Sequence, residues 1–196
     1  MEFNGSFELD DVNPDDAWIM LSDPIAVRSA LRGCKFITEM DEDFSFDEYE
    51  PEENVATLPE ADPDVVAKRV FEEGKTYAAL LQVGVGSVKP RFESRITIDE
   101  RDEENRHMVA TGRGNASNSR FEMESWMTVN EMEGGSEVEW GAEANISGRI
   151  AQLGGRVINP VADKIVNDFF NNVEDQINAV EQSNQDGITK RLRDMI

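Results

Sequence analysis

The sequence predicts an α+β domain: a curved antiparallel sheet of about six to seven strands gripping one long C-terminal helix, with two short helices after the first strand. Three observations predict it. Residues 148–180, GRIAQLGGRVINPVADKIVNDFFNNVEDQINAV, hold one apolar stripe at helical spacing. Residues 75–147 alternate apolar side chains with Glu, Arg and Asn, in segments separated by turn residues. Two Asx-Pro signals follow the first alternating segment. At 196 residues the chain is one domain, or one domain with an appendage.

Residues 2–9, EFNGSFEL, place Phe3, Phe7 and Leu9 on one side of a half-buried strand. Asn13-Pro14-Asp15-Asp16 then supplies a cap, a Pro at the first helical position and acids in the first turn. Asp23-Pro24 repeats the signal for a second short helix, which Gly33 stops. Residues 34–40 form the next strand. Residues 41–63 are dense in acids and turn residues and read as an exposed insert, with a short helix over 64–73. Strand faces follow at Tyr77-Ala79-Leu81-Val83, Phe92-Ser94-Ile96-Ile98, Phe121-Met123-Ser125-Met127-Val129 and Val138-Trp140-Ala142-Ala144-Ile146. Residues 107–112 form a strand of undetermined register. Gly84, Gly86, Asn115 and Gly134-Gly135 mark turns. Short connections make the sheet an antiparallel meander, one face wet and the other covered.

The covering element is the long helix. Ile150, Val157, Val161, Ile165, Phe169, Val173 and Ile177 form its stripe. It would run roughly 45 Å, and burying each of these side chains contributes about 1.5–3 kcal/mol. Gly154-Gly155 and Asn159-Pro160 disfavour a straight helix, so a kink or break is expected between 153 and 160.

The formal charge is −22, with 41 acids against 13 Arg and 6 Lys. This disfavours nucleic acid, whose phosphates need clustered cations, and a broad attraction to anionic lipid. A solvated acidic surface of this kind is what a halophilic archaeon's protein carries. Cys34 is the single cysteine, which excludes an internal disulfide and a cysteine-based zinc site. No secretory leader or long apolar run is visible, so the expected location is cytoplasmic, or peripheral at the inner face of the membrane.

Motifs for chemistry are weak. Gly84-Val85-Gly86-Ser87-Val88-Lys89 lacks the Gly-Lys-Ser/Thr that opens a helix in a phosphate loop, and Pro90 follows it. The acidic run DEDFSFDEYE lacks the glycine a calcium loop needs at its sixth position. His107 is the only histidine. The inward strand positions carry no acid/base pair. No catalytic residue, metal ligand or cofactor is therefore assigned.

The inward faces suggest binding instead. Phe92, Ile96, Phe121, Met123, Met127 and Trp140 would line an apolar cavity opposite Val157, Val161, Ile165 and Phe169. Gly84, Gly86 and Lys89 would form a loop at its mouth. A filled core fits the same pattern. Residues 184–196 form a basic amphipathic tail, outside a domain spanning 1–183. In that tail Lys190, Arg191, Leu192 and Arg193 would touch a partner or a membrane surface.

Several stretches together resemble one family. MEFNGSFELD, the Asp23-Pro24 helix, Gly33-Cys34, residues 84–89 and IAQLGGRVI at 150–158 occur in the order found in the family of the carbon monoxide dehydrogenase G subunit. That family lies within the START-like (helix-grip, SRPBCC) superfamily. The resemblance covers residues 1–40 and 75–180 but not the insert. It implies an apolar cavity between sheet and helix, and a ligand such as a lipid, isoprenoid or quinone. It further implies an accessory role beside a molybdenum hydroxylase of the carbon monoxide dehydrogenase type, recruiting it to the membrane or passing electrons there. The expectation is thus a non-catalytic apolar-ligand carrier or adaptor. The alternatives are a structural interaction module with a filled core, and a START-like cyclase or hydrolase.

Overall fold

The computed structural model describes residues 1–51, 55–56, 61, 65–66, 68–84, 90–116 and 118–183, the last four as backbone alone. The elements run β1 (Glu2–Asp10), α1 (Pro14–Ser22), α2 (Pro24–Ala30), β2 (Cys34–Glu39), β3 (Thr76–Gln82), β4 (Arg91–Asp102), β5 (His107–Ala116), β6 (Ser119–Met132), β7 (Gly135–Gly148), a 3-10 turn (Ala151–Leu153) and α3 (Gly155–Ser183). The strands form one antiparallel sheet in the order β1-β7-β6-β5-β4-β3-β2. The chain passes from one edge to the other through α1 and α2. This is the predicted helix-grip architecture.

Asp23 joins the two short helices. Its N–H donates to Ile19 O at the end of α1. Its side chain accepts from Ile25 N at 2.9 Å and so caps α2. Arg69, which follows the insert, grips the same carboxylate through Nε at 2.9 Å and a terminal nitrogen at 2.6 Å. Its remaining terminal nitrogen donates to Ala56 O at 2.9 Å. A bidentate pair of this kind fixes orientation as well as distance.

The core is built from alternate strand residues and one stripe of α3. Leu9, Ile98, Val129 and Val138 are at most 2% exposed, and Phe170, Val173 and Ile177 at most 5%. Phe7 stacks on Phe170 at 5.1 Å between centroids, tying β1 to α3. Asn172 Nδ2 donates to Ala30 O at 2.7 Å, holding α3 against the end of α2. The second half of α3 is therefore fastened on three sides.

Four expectations need correction. First, the insert is not simply solvated. Phe44, Phe46 and Tyr49 are half-buried and gather around Phe36, Tyr49 at 4.6 Å and the others at 6.2 and 6.3 Å. A register shift between Cys34 and Phe36 turns Phe36 to the outer side of the sheet, and these rings remove it from water. The acids Asp41, Glu42, Asp43, Asp47 and Glu48 are exposed, as expected.

Second, Asn115 is not in a turn. It pairs with Arg120 inside β5–β6, and the chain reverses beyond Ala116, with Asn118 at φ +64. Third, Ile150 precedes the helix. Its N–H donates to Ser119 Oγ at 2.8 Å, and the chain breaks at Gly154, φ +70. Fourth, α3 is continuous through Pro160. Pro160 is only the sixth residue of the helix, so the carbonyl it leaves unbonded is that of Arg156, which is exposed to water. The expected break thus falls at Gly154 rather than at the proline. Of the helix expected over 64–73, Val65 and Val66 are helical, and residues 64 and 67 lie outside the described residues.

Cys34 is half-buried at the start of β2, and burial pushes its thiol from 9.0 up to about 11. At pH 8 the folded protein would hold about one thiolate per thousand molecules. Alkylation by iodoacetamide at that pH should run far slower in native than in urea-unfolded protein. The sign for stability follows. The unfolded chain ionises first, so stability drops as pH rises from about 9 to about 11.

Candidate ligand-binding cleft

The two halves of α3 differ in what covers them. Phe170, Val173 and Ile177 are buried, whereas Val157 is 38% exposed and Leu153, just before the helix, 41%. Ile158, Val161, Ala162, Ile165, Val166 and Phe169 lie between these extremes, most of them half-buried. The inner face of the sheet changes in the same direction. Toward the β4–β5 and β6–β7 hairpins, Ile98, Met108, Val129 and Val138 are covered. Toward the β5–β6 turn, Phe92, Ile96, Phe121, Met123 and Ile146 are only half-buried.

Both uncovered regions lie at the same end. The bond from Ile150 N to Ser119 Oγ places the start of α3 beside the β5–β6 turn. Their apolar side chains are left partly exposed at this end, and the space between the two regions is the candidate cleft.

The residues expected to line a cavity are placed as follows. Phe92, Ile96, Phe121 and Met123 lie on the inner face at the open end, Phe92 and Phe121 edge to face at 6.1 Å. Met127 and Trp140 stand opposite each other in register and pack partly on the core. Val157, Val161 and Ile165 lie on the first half of α3, Val157 exposed and the other two half-buried, and Phe169 marks the transition, its ring 5.2 Å from that of Phe170. Gly84, just past the end of β3, is exposed. Gly86, Lys89, Lys190, Arg191, Leu192 and Arg193 lie outside the described residues.

Two glycines of β5 shape the floor of the cleft. Gly114 lies under the Phe121 ring. A Cβ there would stand 2.7 Å from Phe121 Cζ and closer still to Glu93 O, so no side chain fits. A Cβ on Gly112 would meet only Ile96 and Met123, at 3.9 and 4.0 Å. The missing side chains lower the floor between the two neighbouring strands. Strand periodicity alone does not reveal this role. A signal is nonetheless present, as Met108, Ala110, Gly112, Gly114 and Ala116 run from large to small toward the open end.

A groove of about 730 Å³ lies elsewhere. It runs over the outer, polar face across β3 to β7, on the side of the sheet away from the cleft. His107 also lies on that outer face, its Nδ1 2.8 Å from Thr128 Oγ1 and its ring stacked on Trp126. Among the described residues no three His, Cys, Asp or Glu side chains gather as a metal ion would need. None of their helices is long and apolar enough to cross a membrane.

A family model described as the G subunit of carbon monoxide dehydrogenase (CoxG) matches residues 65–178, more than half of the chain. The chain belongs to the CoxG family. The match starts within the region after the acidic insert, so the place of residues 1–40 in the CoxG fold rests on the structure. A comparison with curated proteins gives no match.

Solved structures share the fold of this CoxG chain. A conserved protein from Geobacillus kaustophilus is 20% identical, with a TM-score of 0.68, over 91% of this chain and 96% of that one. The Zhui aromatase/cyclase from Streptomyces sp. R1128 is 11% identical at 0.56, over 91% and 93%. Ara h 8.0201 is 13% identical at 0.57, over 91% and 98%. At such identities the likeness is one of fold.

Proposed function

We propose that this CoxG-family chain is a non-catalytic binding protein for an elongated apolar molecule, a lipid, isoprenoid or quinone, and serves a carbon monoxide dehydrogenase-type molybdenum hydroxylase. One observation carries the reading. Apolar side chains of the first half of α3 and of the inner face of the sheet near the β5–β6 turn are left half-buried or exposed at the same end of the molecule. A domain in water bears the cost of wetting such a surface only where something else covers it. Met123, Met127 and the aromatic rings suit a guest without fixed shape.

The inner positions of β4 to β7 at this end carry Ser94, Ser119 and Ser125 as their polar side chains; Ser119 Oγ accepts from Ile150 N, and Ser125 Oγ donates to Ala110 O. That supports holding rather than transforming a guest, since proton transfer needs a positioned acid or base. The family description supports the enzyme partner. The basic tail, residues 184–196, is the segment best suited by its sequence to touch that partner or a membrane surface.

The test is mass spectrometry of an organic extract from native protein, purified without detergent. A stoichiometric prenylated quinone or lipid is expected. An empty extract, together with no uptake of a prenylated naphthoquinone in solution, would rule out the carrier role and leave a structural module.

A further inference from the structure

The outer face of the sheet carries an ordered polar pattern that the apolar cleft does not use. Thr76, Thr97 and Thr111 stand opposite one another on β3, β4 and β5. Thr76 and Thr97 share a hydroxyl hydrogen bond of 2.9 Å. These short side chains form the floor of the 730 Å³ groove. Beside that floor Arg95 of β4 stands directly opposite Arg113 of β5. A smaller hollow of about 180 Å³ continues from there, lined by Arg95, Arg113, Asn115, Arg120 and Glu122.

This arrangement is unexpected for such a chain. Like charges directly opposite across a ladder are destabilising. Among the described residues some basic side chains pair with a carboxylate and others do not. Arg69, Lys75, Arg91, Arg101, Arg106 and Lys164 each do so. Arg95 and Arg113 make no ion pair among the described residues, although Glu122 stands opposite Arg113 in register. Arg95 is held another way, its guanidinium 5.3 Å from the centre of the Phe46 ring. The aromatic cluster of the insert thus positions a cation and leaves its hydrogen-bond donors free of a carboxylate.

We propose that this end of the groove is a binding site for a small oxyanion, a phosphate or carboxylate group, held between the Arg95 and Arg113 guanidinium groups. The planar forks supply paired N–H donors that match the geometry of an oxyanion and not that of a halide. The bound charge relieves the repulsion between the two arginines. Arg120 adds a third cation at the rim, and Glu122 beside it keeps the bound group small. The row continues from the threonines to Glu124 and Glu143, which face each other across β6 and β7. The far end of the groove therefore accepts hydrogen bonds, so a ligand bearing hydroxyl or amino groups beyond its oxyanion suits its whole length.

Isothermal titration of the full chain with inorganic phosphate, and separately with malonate, at constant potassium chloride tests this. Saturable binding with a Kd on the order of 1 mM is expected, and the tighter probe identifies the source of the oxyanion. Arg95→Gln/Arg113→Gln should weaken it about tenfold or more, and Arg149→Gln/Arg156→Gln, with the same net charge, less than about twofold. Arg95→Lys/Arg113→Lys keeps the charge, loses the fork and should fall between them. Circular dichroism establishes that each variant is folded. No saturation with either probe, or equal weakening in the two glutamine pairs, overturns the site. Uptake of an apolar guest at the opposite face should be unchanged in Arg95→Gln/Arg113→Gln, which separates this site from the cleft.

Discussion

Replacing Arg69 with Ala should lower the unfolding free energy by about 3–5 kcal/mol, the range for removing one partner of a buried pair. The Asp23 carboxylate is 0% exposed and the Arg69 side chain 15%. Truncation leaves Asp23 buried with the capping bond from Ile25 N as its remaining described hydrogen bond. The same change releases Ala56 O, and with it the hold of the insert on the helical layer. Urea unfolding followed by circular dichroism measures the loss. Asp23→Ala should cost a similar amount, because it removes the cap of α2 as well as the pair. The double variant should cost less than the sum of the two, since no uncompensated charge remains. A loss below about 1 kcal/mol for Arg69→Ala, as for an exposed pair, would mean that water reaches this carboxylate.

Met123→Glu should weaken uptake of a prenylated naphthoquinone about a hundredfold while leaving the fold intact. Met123 lies at the open end, where its side chain reaches solvent in the empty protein, so a carboxylate is tolerated there. Once an apolar guest covers that end, the carboxylate must give up its water without a partner. A hundredfold corresponds to about 2.7 kcal/mol. Glu139→Gln changes a side chain on the opposite face, next to inward-facing Trp140 in sequence, and should leave uptake within about twofold. Calorimetry reads the affinity. Quenching of tryptophan emission reports the position of the guest, and Trp140→Phe should remove most of that signal. If Met123→Glu binds as well as wild type, the guest does not lie between sheet and helix.

The helix-grip architecture was legible because period-2 and period-3.6 patterns survive in one sequence. Phe121 to Val129 and Val138 to Ile146 alternate without interruption, and each pairs in the register this alternation requires. The caps at Asn13 and Asp23 were readable because a side chain two residues from its partner N–H is a local matter. The inward orientation of Phe92, Ile96, Phe121, Met123, Met127 and Trp140 was legible for the same reason. Alternation sorts faces, though it does not tell whether the sorted side chains touch.

What needed tertiary structure depends on contacts distant along the chain. Phe44, Phe46 and Tyr49 sit among acids and read as solvated loop, and only a shift of register at Cys34–Phe36 gives them a partner ring. Arg69 and Asp23 are 46 residues apart, and no local signal joins them. Arg95 and Arg113 become neighbours through pairing of β4 with β5. The break at Gly154 rather than Pro160 follows from where the helix begins, because the one carbonyl that Pro160 leaves without a donor is that of exposed Arg156 near the helix start. Sequence alone therefore determined which side chains face inward and which outward. Tertiary packing decided which of them are covered, since coverage depends on how far α3 extends past the core that fastens its second half.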